Sequence, residues 1–252
     1  MQGRDAPSQP AEMPSGGGPG PLALVGSGEY LPSMAALEAS LLQGRPGRYV
    51  QLATAAVPDG EEVVRKWERM GREQAERLGV EAVTLPVRER ADAERPEVVA
   101  MVAGAGLVYL SGGHPAYLAR TLGRTALWRA IVEAWDRGAA LAGCSAGAMV
   151  MASRVPSLSG PASDGVEGLG LLPHLQVVPH FDRFVHRAPD LIERVSPPAG
   201  SGVVLAGVDE GTAMVGGPVH WTVRGQGSVW LFAPGRQEQY RAGSQLTTPA
   251  RP

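Results

Sequence analysis

The sequence predicts an α/β fold: a mostly parallel sheet covered by helices on both faces, with an antiparallel C-terminal extension. Three observations carry this. Short apolar runs alternate with amphipathic stretches through the first two-thirds of the chain, the pattern of a sheet buried on both sides. Several runs end in small-residue turns, notably Gly26-Ser27-Gly28, Ser111-Gly112-Gly113 and Gly143-Cys144-Ser145-Ala146-Gly147. In the last third helical stretches become sparse, apolar runs crowd together, and Gly216-Gly217 separates two of them as a hairpin turn.

Taken in order, residues 1–20 are rich in Gly, Pro, Ser and Gln and cannot bury enough apolar surface to order themselves, so a disordered tail is expected. Residues 22–25 and 49–53 are the first two strands. Residues 59–78 have helical periodicity, with Val63, Trp67, Met70 and Leu78 near one face, Asp59 and Glu62 as a capping-box pair, and Gly79 as the C-terminal stop. A third strand over 80–85 and a short helix over 98–103 follow. Residues 107–110 form a fourth strand, 115–122 and 126–135 are helical, and 139–142 form a fifth strand. After a strand over 175–178 and a helix near 189–195, strands are expected at 202–208, 212–215, 219–223 and 228–232. The ordered part is a single α/β domain over 21–238, and 239–252 resemble the N-terminal segment and are expected as a flexible tail.

Composition excludes several classes of function. The net charge of −2 is spread along the chain, which argues against a nucleic-acid or anionic-membrane surface. No run approaches the ~20 apolar residues of a membrane span. The cationic residues are 22 Arg and one Lys, Lys66, a skew better explained by codon bias than by function. The single cysteine, Cys144, excludes internal disulfides and a cysteine-built metal site. The N-terminus lacks a basic patch followed by an apolar core, so a cytoplasmic protein is expected.

In parallel sheets, reactive groups collect beyond the carboxyl ends of the strands. Gly143-Cys144-Ser145-Ala146-Gly147 matches Gly-x-Ser-x-Gly between an apolar strand and a helix-compatible run, 148–152. A nucleophile elbow forces its central residue into a strained backbone, so its neighbours two positions away must be small. Gly143 and Gly147 meet that requirement around Ser145. Centring the elbow on Cys144 would put Ala142 and Ala146 there, so Cys144 reads better as a buried small apolar residue. The helix start at Ala146 also offers N–H groups and a positive dipole end to a developing oxyanion. Residues 109–115 place Gly112-Gly113 at a strand end, where the Gly113 N–H can join that of Ala146.

A serine nucleophile needs a base within reach. Of five histidines, His180 alone directly follows an apolar strand assigned to the parallel sheet. His174 precedes that strand, His186 lies in a polar turn, His220 in the late hairpin, and His114 at a helix start or site rim. Asp209 and Glu210 end another apolar run; either can orient the base, and spacing does not separate them.

These segments, in this order, resemble the peptidase E and cyanophycinase family of serine peptidases. The resemblance spans 22–232 in layout and is sharp at 111–113, 143–149, 180–181 and 208–213. It implies a class I glutamine amidotransferase-like fold, with Ser145 as nucleophile, His180 as base and Glu210 as orienting acid. It also implies Gly113 and Ala146 as oxyanion donors, and no metal or organic cofactor. The chain departs from the cyanophycinase pattern around the histidine. Val178 and Pro179 stand where a polar pair is expected, and Phe184, His186 and Pro189 replace the arginines that recognise an Asp–Arg polymer. Among nearby residues, His114, Arg154, Arg183 and Arg187 are candidates for binding substrate. The loop over 154–170, rich in Ser, Gly and Pro, is expected to form a rim or lid.

The expected reaction is cleavage of an amide bond in a small peptide-like substrate through an acyl-enzyme at Ser145, and a homodimeric assembly is compatible with it. Rival readings are an amidohydrolase or esterase acting on a non-peptide substrate, a catalytically silent small-molecule-binding protein, and a glutaminase using Cys144.

Overall fold

The computed structural model describes residues 18–158, 165–187, 190–233 and 235–250; the side chains of His186 and Arg187 are not described. The main sheet is built on five parallel strands: β1 (Leu22–Val25), β2 (Arg48–Leu52), β3 (Glu81–Thr84), β4 (Leu107–Leu110) and β5 (Ala140–Cys144). The helices between them are α1 (Ala35–Leu42), α2 (Glu61–Arg77), α3 (Pro96–Ala100), α4 (Pro115–Leu122) and α5 (Ala126–Asp136). One turn of helix, α6 (Ala146–Met149), follows β5. Next come a small ribbon, β6 (Arg154–Val155) with β7 (Val166–Glu167), then β8 (Leu175–Val178), α7 (Phe181–Arg187) and α8 (Leu191–Val195). The C-terminal strands are β9 (Val204–Val208), β10 (Thr212–Gly216), β11 (His220–Gly225), β12 (Ser228–Ala233), β13 (Arg236–Arg241) and β14 (Gln245–Thr247).

Among the described residues the main sheet runs β14-β11-β10-β1-β5-β4-β2-β3, so an antiparallel wing of three strands extends the parallel core beyond β1. Its layers follow from the two-residue period of a strand. Leu22, Leu24, Val108, Leu110 and Leu141 face one side, packed against Leu118, Leu122, Trp128 and Ile131 of α4 and α5. Ala23, Val25, Leu107, Tyr109 and Ala142 face the other side, against Leu37 and Leu41 of α1 and Ala75 of α2. Both faces are therefore apolar, which is why these strands read as continuous apolar runs rather than as alternating ones.

The structure corrects several sequence expectations. α2 begins at Glu61 behind Gly60, with no side-chain cap, so the Asp59–Glu62 capping box does not form; the Asp59 carboxylate instead pairs with His114. α1 was not foreseen: Leu37, Glu38, Leu41 and Leu42 are its buried residues, and a buried glutamate disguises an otherwise apolar stripe. Phe181–Arg187 is helical, whereas the sequence placed the helix later. The strand before His180 is not in the main sheet. β8 belongs to a second, four-stranded sheet ordered β13-β12-β9-β8, in which β8 and β9 are parallel. Residues 239–241 and 245–247 are strands rather than a flexible tail, paired to β12 and β11 respectively. Most of the 1–20 segment lies outside the described residues, but Gly20 is tied to Trp135 by two hydrogen bonds.

Glu38 is buried beneath α1, where the Tyr49 hydroxyl donates to its Oε2 at 2.8 Å while Oε1 lacks a partner among the described residues. Burial raises its pKa from 4.5 to about 7. Between those values the folded chain holds a proton that the unfolded chain has released. Glu38 therefore costs the fold progressively more stability as pH rises from about 4.5 to 7, reaching about 3 kcal/mol. In denaturant titrations at pH 4.5 and pH 8, Glu38→Gln should gain stability relative to wild type at the higher pH only. An equal difference at both pH values would contradict the assignment.

Candidate active site

Three loops at the carboxyl ends of adjacent strands β1, β5 and β4 meet at Ser145. The turn from β5 into α6 puts Ser145 at φ 50°, ψ −110°, a region costly for a residue with a Cβ. The backbone is this sharp because its flanks are in contact: a Cβ on Gly143 would collide with the Gly147 carbonyl, and one on Gly147 with the Leu110 carbonyl. α6 is only four residues long, so it contributes N–H groups rather than an appreciable macrodipole.

The histidine and carboxylate arrive from the second sheet. β8 and β9 lie side by side in register, Val178 opposite Gly207, so the residues just past their ends are neighbours. His180 Nε2 lies 3.1 Å from Ser145 Oγ, and His180 Nδ1 lies 2.8 Å from Glu210 Oε1. A carboxylate only accepts, so the Nδ1–H donates to Glu210 and Nε2 keeps the lone pair that faces the serine hydroxyl. His180, at φ 49°, is like Ser145 a non-glycine residue held at positive φ. The first turn of α7 fixes the carboxylate: Asp182 Oδ1 accepts the Glu210 N–H at 3.0 Å, and Arg183 Nε lies 2.8 Å from Glu210 Oε2. His180 and Glu210 are partly buried, and Phe184 stands edge-on to the imidazole with ring centroids 6.3 Å apart.

The two acids that spacing did not separate point in different directions. Asp209 turns inward, where its Oδ2 accepts the Ser228 N–H at 2.9 Å and burial raises its pKa. Glu210 turns toward His180.

The loop after β4 lies against Ser145. Gly113 has φ 135°, and a side chain there would strike the Ala55 carbonyl. Among the described residues the N–H groups of Gly113 and Ala146 have no hydrogen-bond partner. Sequence reasoning missed the residue that joins this loop to the elbow, Glu29, which is 7% exposed. Its Oε1 accepts the Gly112 N–H at 2.9 Å and its Oε2 accepts the Cys144 thiol at 2.9 Å. One carboxylate from the β1 loop thus holds the residue before Gly113 and the residue before Ser145. Its position directly after Gly26-Ser27-Gly28, at a third strand end, was the available signal. Cys144 is fully buried, and burial together with Glu29 pushes its thiol well above the ordinary range, so it stays protonated.

A cavity of about 380 Å³ opens beside Ser145 and His180. Met149, Val155, Pro156, Leu158, Val166 and Phe184 supply much of its wall, so the β6–β7 ribbon forms one side of the mouth. Of the foreseen binding residues, His114, Arg154 and Arg183 are not among the described residues that line it. His114 Nε2 is 2.7 Å from Asp59 Oδ1, Arg183 is engaged by Glu210, and Arg154 lies on the exposed side of the ribbon. The Arg187 side chain and residues 159–164 of the expected lid fall outside the described residues. No group of three or more metal-ligating side chains occurs among the described residues, and no helix there is long and apolar enough to cross a membrane.

Removing Glu29 leaves a buried N–H and a thiol without an acceptor, at about 1–3 kcal/mol. Glu29→Ala should lose that much stability in urea titrations; a loss under about 0.5 kcal/mol would show that the carboxylate does not join the two loops.

The profile of Peptidase family S51 matches residues 23–217. A cyanophycinase from Synechococcus elongatus is 33% identical over 168 residues, 62% of this chain and 51% of that protein. One from Nostoc sp. (strain PCC 7120) is 32% identical over 185 residues, covering 69% of this chain and 58% of that protein. The chain thus spans little more than half the length of these relatives. The crystal structure of a peptidase from an acI-B1 Actinobacterium superposes with a TM-score of 0.85 at 41% identity, over 92% of this chain and 98% of that one. A putative peptidase E from Listeria monocytogenes shares the fold, with a TM-score of 0.58 at 16% identity over 89% of this chain and 100% of that one.

Proposed function

The chain belongs to peptidase family S51, and on that premise we propose that it is a serine-type peptidase that hydrolyses an amide bond of a small peptide-like substrate. The observation that carries this reading is the continuous hydrogen-bonded line from Ser145 Oγ through the His180 ring to Glu210, at 3.1 and 2.8 Å.

Ser145 Oγ attacks the scissile carbonyl carbon as its proton passes to His180 Nε2. The carbonyl oxygen becomes an oxyanion facing the N–H groups of Gly113 and Ala146, which are fixed in the folded chain and need no reorganisation as charge develops. Glu210 stabilises the imidazolium and holds its tautomer, while Asp182 and Arg183 hold Glu210. Collapse of the tetrahedral intermediate breaks the C–N bond, and His180 returns its proton to the departing amine. Water then enters and attacks the acyl carbon while losing a proton to His180; the Oγ–acyl bond breaks, His180 returns that proton to Ser145 Oγ, and the acyl group leaves as a carboxylic acid. Cys144 is unsuited to the nucleophile's part, being buried and hydrogen-bonded to Glu29.

Wild-type protein should be labelled by a fluorophosphonate probe on one site, and Ser145→Ala should not be labelled at all. Labelling unchanged in Ser145→Ala, or absent from wild type, would refute the reading. Replacing Glu210 by Gln should slow labelling at least about 100-fold, because the imidazole loses its tautomer and its counter-charge. Asp209→Asn should slow labelling by less than about fivefold, since Asp209 acts on Ser228 rather than on His180. Reversed effects for the two acids would exchange their roles.

A further inference from the structure

The cavity beside Ser145 differs from the rest of the site in its chemistry. Its walls come from three parts of the fold: the start of α4 through Pro115 and Ala116, α6 through Met149, and the ribbon through Val155, Pro156, Leu158 and Val166. Pro179 and Phe184 close the side nearest His180. Apart from His180, the polar side chains among the described lining residues are Ser145 and Ser157, and neither carries charge.

Among the described residues, several charged groups around the site are held elsewhere. Arg183 is turned to the Glu210 carboxylate, and His114 and Asp59 face each other outside the cavity. Glu29 is buried behind Gly112 and Cys144. A substrate carboxylate or guanidinium placed in this cavity would lose water without gaining an opposite charge from any described lining residue other than His180, which is engaged by Ser145 and Glu210, whereas an apolar side chain would gain by leaving water. The volume, about 380 Å³, is at the small end of ordinary ligand pockets, enough for one side chain and the adjoining main chain.

We propose that the cavity walled by Met149, Val155, Leu158, Val166 and Phe184 selects an apolar side chain, of the Leu, Met or Phe class, on the residue next to the scissile bond. It discriminates against aspartyl, glutamyl and arginyl residues there. The assignment rests on Ser145 being the nucleophile, since that atom places the scissile bond at the cavity mouth.

The test uses the full chain and amino-acid diphenyl phosphonates bearing Leu, Phe, Asp or Arg side chains, with a side-chain-free fluorophosphonate as reference. Each phosphonate forms an Oγ–P bond at Ser145 and releases phenol, the serine proton leaving through His180, so the rate reads side-chain fit without needing a cleavable substrate. Inactivation by the Leu or Phe reagent should be at least about 100-fold faster than by Asp or Arg, a ratio in keeping with hydrophobic pockets that reject charge. Equal rates, or faster reaction with Asp or Arg, overturn the proposal while fluorophosphonate labelling leaves the serine reading intact. Loss of fluorophosphonate labelling overturns that reading instead. As a second arm, Leu158→Arg should shift the Asp-to-Leu rate ratio at least about tenfold toward Asp. An unchanged ratio, with the fluorophosphonate rate preserved, removes Leu158 from the proposed subsite and contradicts the assignment.

Discussion

The site depends on a backbone crossing at which no side chain fits. Gly143 and Gly147 face one another across the turn from β5 to α6, and Gly147 also rests against the Leu110 carbonyl of β4. That contact forces Ser145 to φ 50° and lifts its hydroxyl off the sheet. Strain of this kind costs of order 1–3 kcal/mol per residue and persists only where the surroundings over-determine it. Here they do. β5 is flanked by β1 and β4 in a sheet buried on both faces, and Glu29 ties the loops beyond those two strands to the elbow.

The two halves of the constellation come from different sheets, and this explains how it is aligned. Ser145 and the Gly113 loop are fixed by the main sheet; His180 and Glu210 are fixed by the parallel pair β8 and β9 of the second. The faces of the two sheets share one apolar cluster, in which Val177 and Ala206 pack together with Leu110 and Met149. Repacking in that cluster would move the imidazole relative to the hydroxyl. A shift near 1 Å would lengthen a 3.1 Å contact beyond hydrogen-bond reach and could cost of order 100-fold in rate.

Much of this was legible from residues alone, for identifiable reasons. The parallel core showed itself because strands buried on both faces are uninterrupted apolar runs; β4, α4 and β8 were placed to the residue. The elbow glycines were legible because sterics admit few alternatives. What stayed hidden depends on contacts distant in sequence. Periodicity does not say which sheet a strand joins, so β8 was put in the wrong one. Glu29 went unnoticed because its partner Gly112 lies 83 positions away in the sequence. Asp209 and Glu210 point to opposite sides of a strand end, and only the fold shows which side holds His180. Arg183 read as a substrate ligand because nothing in the sequence reveals that Glu210 already engages it.

The central claim is that Ser145 Oγ attacks carbon while the Gly113 and Ala146 N–H groups receive the negative oxygen. A crystal structure of the organophosphonate adduct tests it most directly. The account predicts a covalent bond at Ser145 Oγ, with one phosphonyl oxygen about 2.7–3.1 Å from both nitrogens. An adduct at another residue, or a phosphonyl oxygen directed to solvent away from both N–H groups, would contradict it.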